Sequence, residues 1–169
     1  MLLKLNIGCL IALMLLLPVT AQSIGSRDNP IPMGTSVDMG NNWEINVLSV
    51  FPNATNEMVY GDSLIGFKLD PDEEIFIAKI QAKYIGSGSS YFDNDNHIRA
   101  VGSASIGYAP ISISQGEGTI SDYISNHEVF TGGVITGVLA WIIPPEHADH
   151  LVMYNPIIDV NKRTYMALF

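Results

Sequence analysis

Oxygen-bearing side chains gather at two places where a hard cation could be held. One is the run Asp93-Asn94-Asp95-Asn96, and the other comprises Asp70, Asp72, Glu73 and Glu74. Calcium takes roughly six to eight oxygen ligands, so the residue types are suitable. The spacing is not that of an EF-hand loop. Counting from Asp93, Ile98 occupies the position that needs glycine and Ala104 the one that needs glutamate. Asp and Asn also favour turns for backbone reasons of their own. Turn chemistry is therefore the reading, with no metal site assigned and Asp93 and Asp95 held as the calcium candidates. His147 and His150 have i, i+3 spacing that invites zinc, but a zinc site needs a third ligand and no cysteine is near to supply it. Following Pro144-Pro145, they read as solvated turn residues. Arg27 beside Asp28 reads as a local structural pair rather than a ligand clamp.

Covalent and acid–base chemistry find no more definite foothold. No Gly-x-Ser-x-Gly elbow is present, and no serine lies in a recognisable catalytic signature. The chain holds 17 acidic residues, yet no carboxylate pair announces a glycosidase by its position. No catalytic residue and no cofactor is assigned, and the expectation is that the chain is not an enzyme. Asn53-Ala54-Thr55 fits the N-glycosylation acceptor pattern and makes Asn53 a modification candidate.

The elements that would position these residues read as β throughout. Trp43, Ile45 and Val47 alternate with Glu44 and Asn46, the period of a half-buried strand. Phe76, Ala78, Ile80, Ala82 and Tyr84 recur at the same period in the best strand of the chain, closed by Gly86-Ser87-Gly88-Ser89-Ser90. Trp43 is expected in the core with Phe76, Ile80 and Tyr84. Further strands are predicted at His97 to Val101, Ser105 to Ala109, Val134 to Ile143, Leu151 to Tyr154 and Thr164 to Leu168. Gly and Pro punctuate the chain and no window carries a clean helical stripe, so an antiparallel β-sandwich of about seven strands is expected. Asn53 to Glu74, with a short helix near Ser63 to Leu69, and Ala109 to Asn126 are the long connections. Connections longer than about 12–15 residues are often functional.

The first 21 residues specify a compartment. Lys4 precedes an apolar run from Leu5 to Val19, and Val19-Thr20-Ala21 offers small residues at a cleavage site before Gln22. That order is a secretory signal peptide, and the run is short of the about 20 residues a spanning helix needs. Residues 22–169 then form one exported domain. Removing Lys4 with the leader leaves seven basic residues against 17 acidic ones, a formal charge of −10. A field of that sign repels phosphate backbones and anionic lipid heads, which argues against nucleic acid and membrane surfaces as partners. The single cysteine, Cys9, lies inside the leader, so the mature domain has no disulfide. Most of the apolar run follows Cys9, the reverse of the order lipidation needs. No later stretch reaches transmembrane length.

Gly25-Ser26-Arg27-Asp28-Asn29-Pro30-Ile31-Pro32-Met33-Gly34, a short strand and then Trp43-Glu44-Ile45-Asn46-Val47 form a recognisable opening. Asn53-Ala54-Thr55, Tyr84-Ile85-Gly86, Arg99-Ala100-Val101-Gly102 and Val129-Phe130-Thr131-Gly132-Gly133 follow in order. Pro144, Ala148-Asp149, Leu151-Val152-Met153-Tyr154 and Tyr165-Met166-Ala167-Leu168 complete the series. Together these resemble a family of secreted bacterial and archaeal immunoglobulin-like domains of unknown function. That family is related to the mycobacterial immunoprotective extracellular antigen and is often found in lipoproteins. The resemblance implies an immunoglobulin-like sandwich outside the membrane and carries over no catalytic residue. This chain departs from the pattern in having no lipobox cysteine at the end of its leader, and Glu73-Glu74 where a glycine is more usual.

The expected function is a noncatalytic secreted or cell-surface module that binds an extracellular macromolecule or joins an assembly. The alternative is a protein that binds a small molecule, carbohydrate or calcium through the acidic loops at Asp70 to Glu74 and Asp93 to Asp95. Mass spectrometry of the exported protein should find Gln22 as its first residue. A membrane-held form retaining Met1 to Ala21 would contradict the signal-peptide reading.

Overall fold

The computed structural model describes residues 23–54, 69–93, 97–111, 124 and 127–169. The leader, Asp95, Thr55 and all but Leu69 of the helix expected near Ser63 to Leu69 lie outside these residues. Ten strands occur among the described residues: β1 (Val37–Asp38), β2 (Trp43–Phe51), β3 (Glu74–Tyr84), β4 (Ser89–Tyr91), β5 (Arg99–Val101), β6 (Gly107–Tyr108), β7 (Glu128–Phe130), β8 (Val134–Ile143), β9 (Val152–Tyr154) and β10 (Tyr165–Ala167). One four-stranded sheet runs β1-β2-β3-β8, a second runs β10-β9-β5-β6, and β4 pairs with β7 in a separate ribbon. All pairings between these strands are antiparallel. No described helix is long and apolar enough to cross a membrane.

The period-2 pattern of β3 does what such a pattern requires. Phe76, Ala78, Ile80, Ala82 and Tyr84 are all buried, and they share one cluster with Trp43, Ile45 and Val47 from β2 and Leu139 and Trp141 from β8. Ala100, Leu151, Met153, Met166 and Leu168 close that cluster from the other sheet. The Trp43 ring packs on Tyr84 at 5.2 Å and meets Phe92 edge-on at 5.1 Å. Phe92, which follows β4, is a core ring that alternation did not single out. A bulge between Val47 and Ser49 leaves Leu48 exposed and re-phases β2, so that Val50 pairs with Ala78 and packs on the core. A bulge adds one residue to one strand and so restores the inward face beyond it.

The first half of β3 is buried on its outer face as well. Ile75 and Ile77 join Ala54 and Ala140 in a second apolar cluster, with Leu69 and Ile111 packed against it. Ala54 donates its N–H to the Ile75 carbonyl at 2.7 Å, and Ile111 and Ile124 donate theirs to the Ala140 and Val138 carbonyls of β8. The roots of both long connections are thereby fixed to the sheet. In the long connection Ala109 to Asn126, the described residues Ile111 and Ile124 are anchored only two residues apart on β8.

The sequence placed Ser89 and Ser90 in a turn and read no strand at Glu128 to Phe130. The turn is shorter: Thr131 Oγ1 donates to Gly86 and Gly88 carbonyls at 2.8 and 3.2 Å, and the chain is already paired at Ser89. Three-residue strands are too short to display a period.

Replacing Trp43 with alanine removes a ring with contacts to two others and should cost about 3–5 kcal/mol in unfolding free energy. Chemical denaturation would measure it, and a loss below about 1 kcal/mol would show that the ring is not a core anchor.

Candidate functional site

The segment before β1 forms a hook. Gly25 turns back with φ of 91° and its N–H donates to Asn29 at 2.8 Å. The hook is laced to β10 by Tyr165 N to Gly25 O, Ile31 N to Tyr165 O and Ala167 N to Ile31 O, at 2.8 to 2.9 Å. This places Arg27 over the turn between β5 and β6. Its guanidinium donates to the Gly102 carbonyl at 2.6 Å and to Ser105 Oγ at 3.1 Å. In the sequence Arg27 reads as a local structural residue beside Asp28, and its hydrogen bonds reach further: it ties together segments 75 residues apart.

A cleft of about 490 Å3 opens beside this tie, lined by Arg27, Asp28, Ser103, Ser105, His150 and Phe169 among others. It holds donors, acceptors and an aromatic wall, with the His150 ring edge-on to Phe169 at 5.5 Å. Ser105 and His150 both have left-handed backbone, with φ of 61° and 49°. The other non-glycine residues of this kind are asparagines, which tolerate the region well. Ser105 is held there by its N–H bond to Gly102 at 3.0 Å and by Arg27.

The sequence-predicted site residues fall in different places. His147 and His150 have separate partners: Tyr108 Oη lies 2.5 Å from His147 Nδ1, whereas His150 stands 3.8 Å from the Asp149 carboxylate. Glu73 uses its carboxylate on the Asp70 N–H at 3.0 Å, and the Glu73 N–H returns to the Asp70 carbonyl at 3.0 Å. That reciprocal arrangement closes a turn. Asp93 accepts the His97 N–H on its carbonyl at 3.2 Å. Among the described residues, no three histidine, aspartate or glutamate side chains converge as metal ligands would. Asn53 is exposed at a turn with φ of 53°, followed by the buried Ala54.

A second surface lies on the β4–β7 ribbon. Ser89 pairs with Phe130, Ser90 with Val129 and Tyr91 with Glu128. Val129 faces the core, so alternation turns Phe130 and Tyr91 outward together, 65% and 57% exposed. Ser89 Oγ donates to Glu128 Oε1 at 2.7 Å on the same face. Sequence reasoning missed both Arg27 as a tie and this ribbon. The first depends on a contact distant in the chain, and the second shows only as Tyr91 after two serines and Phe130 between Val129 and Thr131.

With this geometry in view, solved structures of similar shape can be compared. The yjhA protein of Bacillus subtilis matches with a TM-score of 0.53 at 17% identity, over 82% of this chain and 99% of that one. MPT63, a secreted protein from Mycobacterium tuberculosis, matches with a TM-score of 0.54 at 15% identity, over 82% and 97%. The ycdA protein of Bacillus subtilis matches with a TM-score of 0.54 at 10% identity, over 79% of this chain and 37% of that one. No protein-family model and no curated protein matches the chain. At these identities the likeness carries the fold alone. The expected β-sandwich is the fold of the chain.

Burial holds the Tyr108 phenol above its ordinary pKa of 10.0, and the nearby Glu146 and Glu73 carboxylates add to the rise. A raised phenol pKa favours the neutral form in the folded state. This stability is fully present below about pH 10 and is lost as pH rises through the folded value. Tyr108→Phe should flatten the alkaline fall of stability, measured by denaturation at pH 9 to 11.5. An unchanged alkaline profile would contradict the assignment.

Proposed function

We propose that the chain is a noncatalytic, exported module that recognises an extracellular macromolecule through the outward face of the β4–β7 ribbon. The observation that carries this reading is the pair of large rings, Tyr91 and Phe130, exposed at diagonal positions on one outward face of a two-stranded support. Ile85 and Val134, 42% and 50% exposed, flank the same end of the sandwich at the turns that enter β4 and leave β7. Scattered exposed apolar residues are ordinary, but a group of them presented by a fixed scaffold marks an interaction surface. Tyrosine and phenylalanine bring large contact area at low entropic cost, which is why aromatic residues concentrate where binding energy does.

Export is supported by the order of charge, apolar run and small residues in the first 21 positions, and by the sandwich shared with a secreted protein. Sandwich domains present partner-binding loops and ribbons at their ends, which agrees with the position of this surface. The fold hosts many functions, so the surface itself must be tested.

The test is capture from the native cell surface with the mature domain and with a Tyr91→Ser, Phe130→Ser variant. Both rings are more than half exposed, so the variant should melt within about 2 °C of the parent. The reading predicts a specific partner retained by the parent and lost by the variant. Equal capture by both, or a variant that no longer folds, would contradict it.

A further inference from the structure

The hook and the turn before β10 enclose a second, smaller cleft of about 280 Å3, and its charge is unlike that of the rest of the molecule. Its charged lining residues are Arg27, Lys162 and Arg163, and among the described residues no carboxylate lines it. Three of the seven basic residues downstream of the leader meet here, in a chain with 17 acids. Asp159 lies close in sequence, but its carboxylate accepts the Asn161 N–H at 2.9 Å and serves the turn.

The two arginines are fixed by hydrogen bonds to uncharged oxygens among the described residues. Arg163 donates from Nε to the Ile158 carbonyl and from a terminal nitrogen to the Pro156 carbonyl, both at 2.9 Å, and its guanidinium lies 4.9 Å above the centre of the Tyr154 ring. Tyr154 is itself stacked on Tyr165 at 5.5 Å. Arg27 is held by the Gly102 carbonyl and Ser105 Oγ. These bonds end on neutral oxygens, so they orient each guanidinium without offsetting its charge. A guanidinium has five N–H donors, of which these bonds engage two apiece, leaving others for a ligand.

We propose that this cleft binds a phosphate group, free or as a phosphomonoester. A phosphate monoester carries about −1.5 to −2 charges near pH 7 and offers three strong acceptor oxygens, a closer match to three cations than a singly charged carboxylate. Arginine suits it because paired N–H groups meet two oxygens at once. Ile24 and Val160, 74% and 61% exposed, form an apolar wall that the carbon body of an ester can lie against. The acidic remainder of the molecule does not forbid such a ligand. Its field is screened over about 8–10 Å in physiological salt, whereas the cleft itself is lined by Arg27, Lys162 and Arg163. The negative net charge disfavours long polyphosphate backbones more than a single seated phosphate.

The experiment is an amide-resonance titration of the mature domain with inorganic phosphate and with glycerol 3-phosphate. Ionic strength is held constant with sodium chloride, and acetate serves as the carboxylate control. The proposal predicts saturable shifts centred on Gly25, Ser26, Lys162 and Thr164, with acetate weaker by at least tenfold. Lys162 is exposed, so Lys162→Glu should melt like the parent while binding phosphate at least tenfold more weakly. Tighter binding of glycerol 3-phosphate assigns the site to a phosphomonoester, and equal binding assigns it to the free ion. Identical shifts with chloride alone, acetate binding as tightly as phosphate, or parental affinity in Lys162→Glu would overturn the proposal.

Discussion

Strand β3 is the constraint on which the rest of the molecule depends. It pairs with β2 on one side and with β8 on the other, the latter over ten consecutive residue pairs. Its inward face supplies five buried side chains to the main core. The outward face of its first half carries Ile75 and Ile77, which hold the roots of the long connections. Fully burying one large apolar side chain contributes about 1.5–3 kcal/mol, so losing the register of this strand would forfeit several such terms at once. A one-residue slip would also turn Lys79, Gln81 and Lys83 into the core, and register is strongly specified where one face is buried.

The second sheet is built from short strands and needs ties that the first does not. Asn155, just after β9, is buried and donates to the Met39 carbonyl at 2.9 Å while its own carbonyl accepts from Ile157 N. It thereby joins the end of β9 to the chain between β1 and β2. Arg27 performs a similar service between the hook and the β5–β6 turn. A Cβ on Gly102 would collide with the His147 carbonyl oxygen, so the short helical turn Pro145–His147 can approach this corner only because the residue is glycine. One small corner thus brings the hook, the β5–β6 turn and the histidine-bearing turn together. The polar cleft and the basic cleft lie on either side of Arg27, and the hydrogen bonds that fix Arg27 shape both.

What was legible in the sequence was what local period encodes. β2 and β3 are long enough for alternation to be read, and the inward residues it named, Trp43 included, are in the core; β8 was legible as a run of apolar, β-branched residues before Pro144. The short strands of the second sheet were found within a residue or two. β1 was legible only as a short strand before Trp43, and β4 and β7 were not legible, because Ser89 and Ser90 look like turn residues and Glu128 to Phe130 shows no period. Asp70 to Glu73 is a turn in which the Glu73 carboxylate accepts the Asp70 N–H, and aspartates such as Asp70 and Asp72 are readable as turn formers. The role of Arg27 was not, since its partners Gly102 and Ser105 are brought near only by the hook's lacing to β10. The outward rings of the ribbon were equally hidden: an isolated Tyr91 or Phe130 looks like any core aromatic until its strand partner is known.

The central claim is that β3, fixed between β2 and β8, is the most stable part of the domain, and that the β4–β7 ribbon is carried by it. Native-state hydrogen exchange measures this directly, because amides released only by global unfolding exchange most slowly and locally opening segments exchange faster. The account predicts that amides at the centre of β3, from Ala78 to Ala82, exchange with the free energy of global unfolding. Those of Ser89 to Tyr91 and Glu128 to Phe130 should exchange at a lower free energy, through local opening. Exchange of the ribbon at the global value, or opening of β3 before it, would contradict the account.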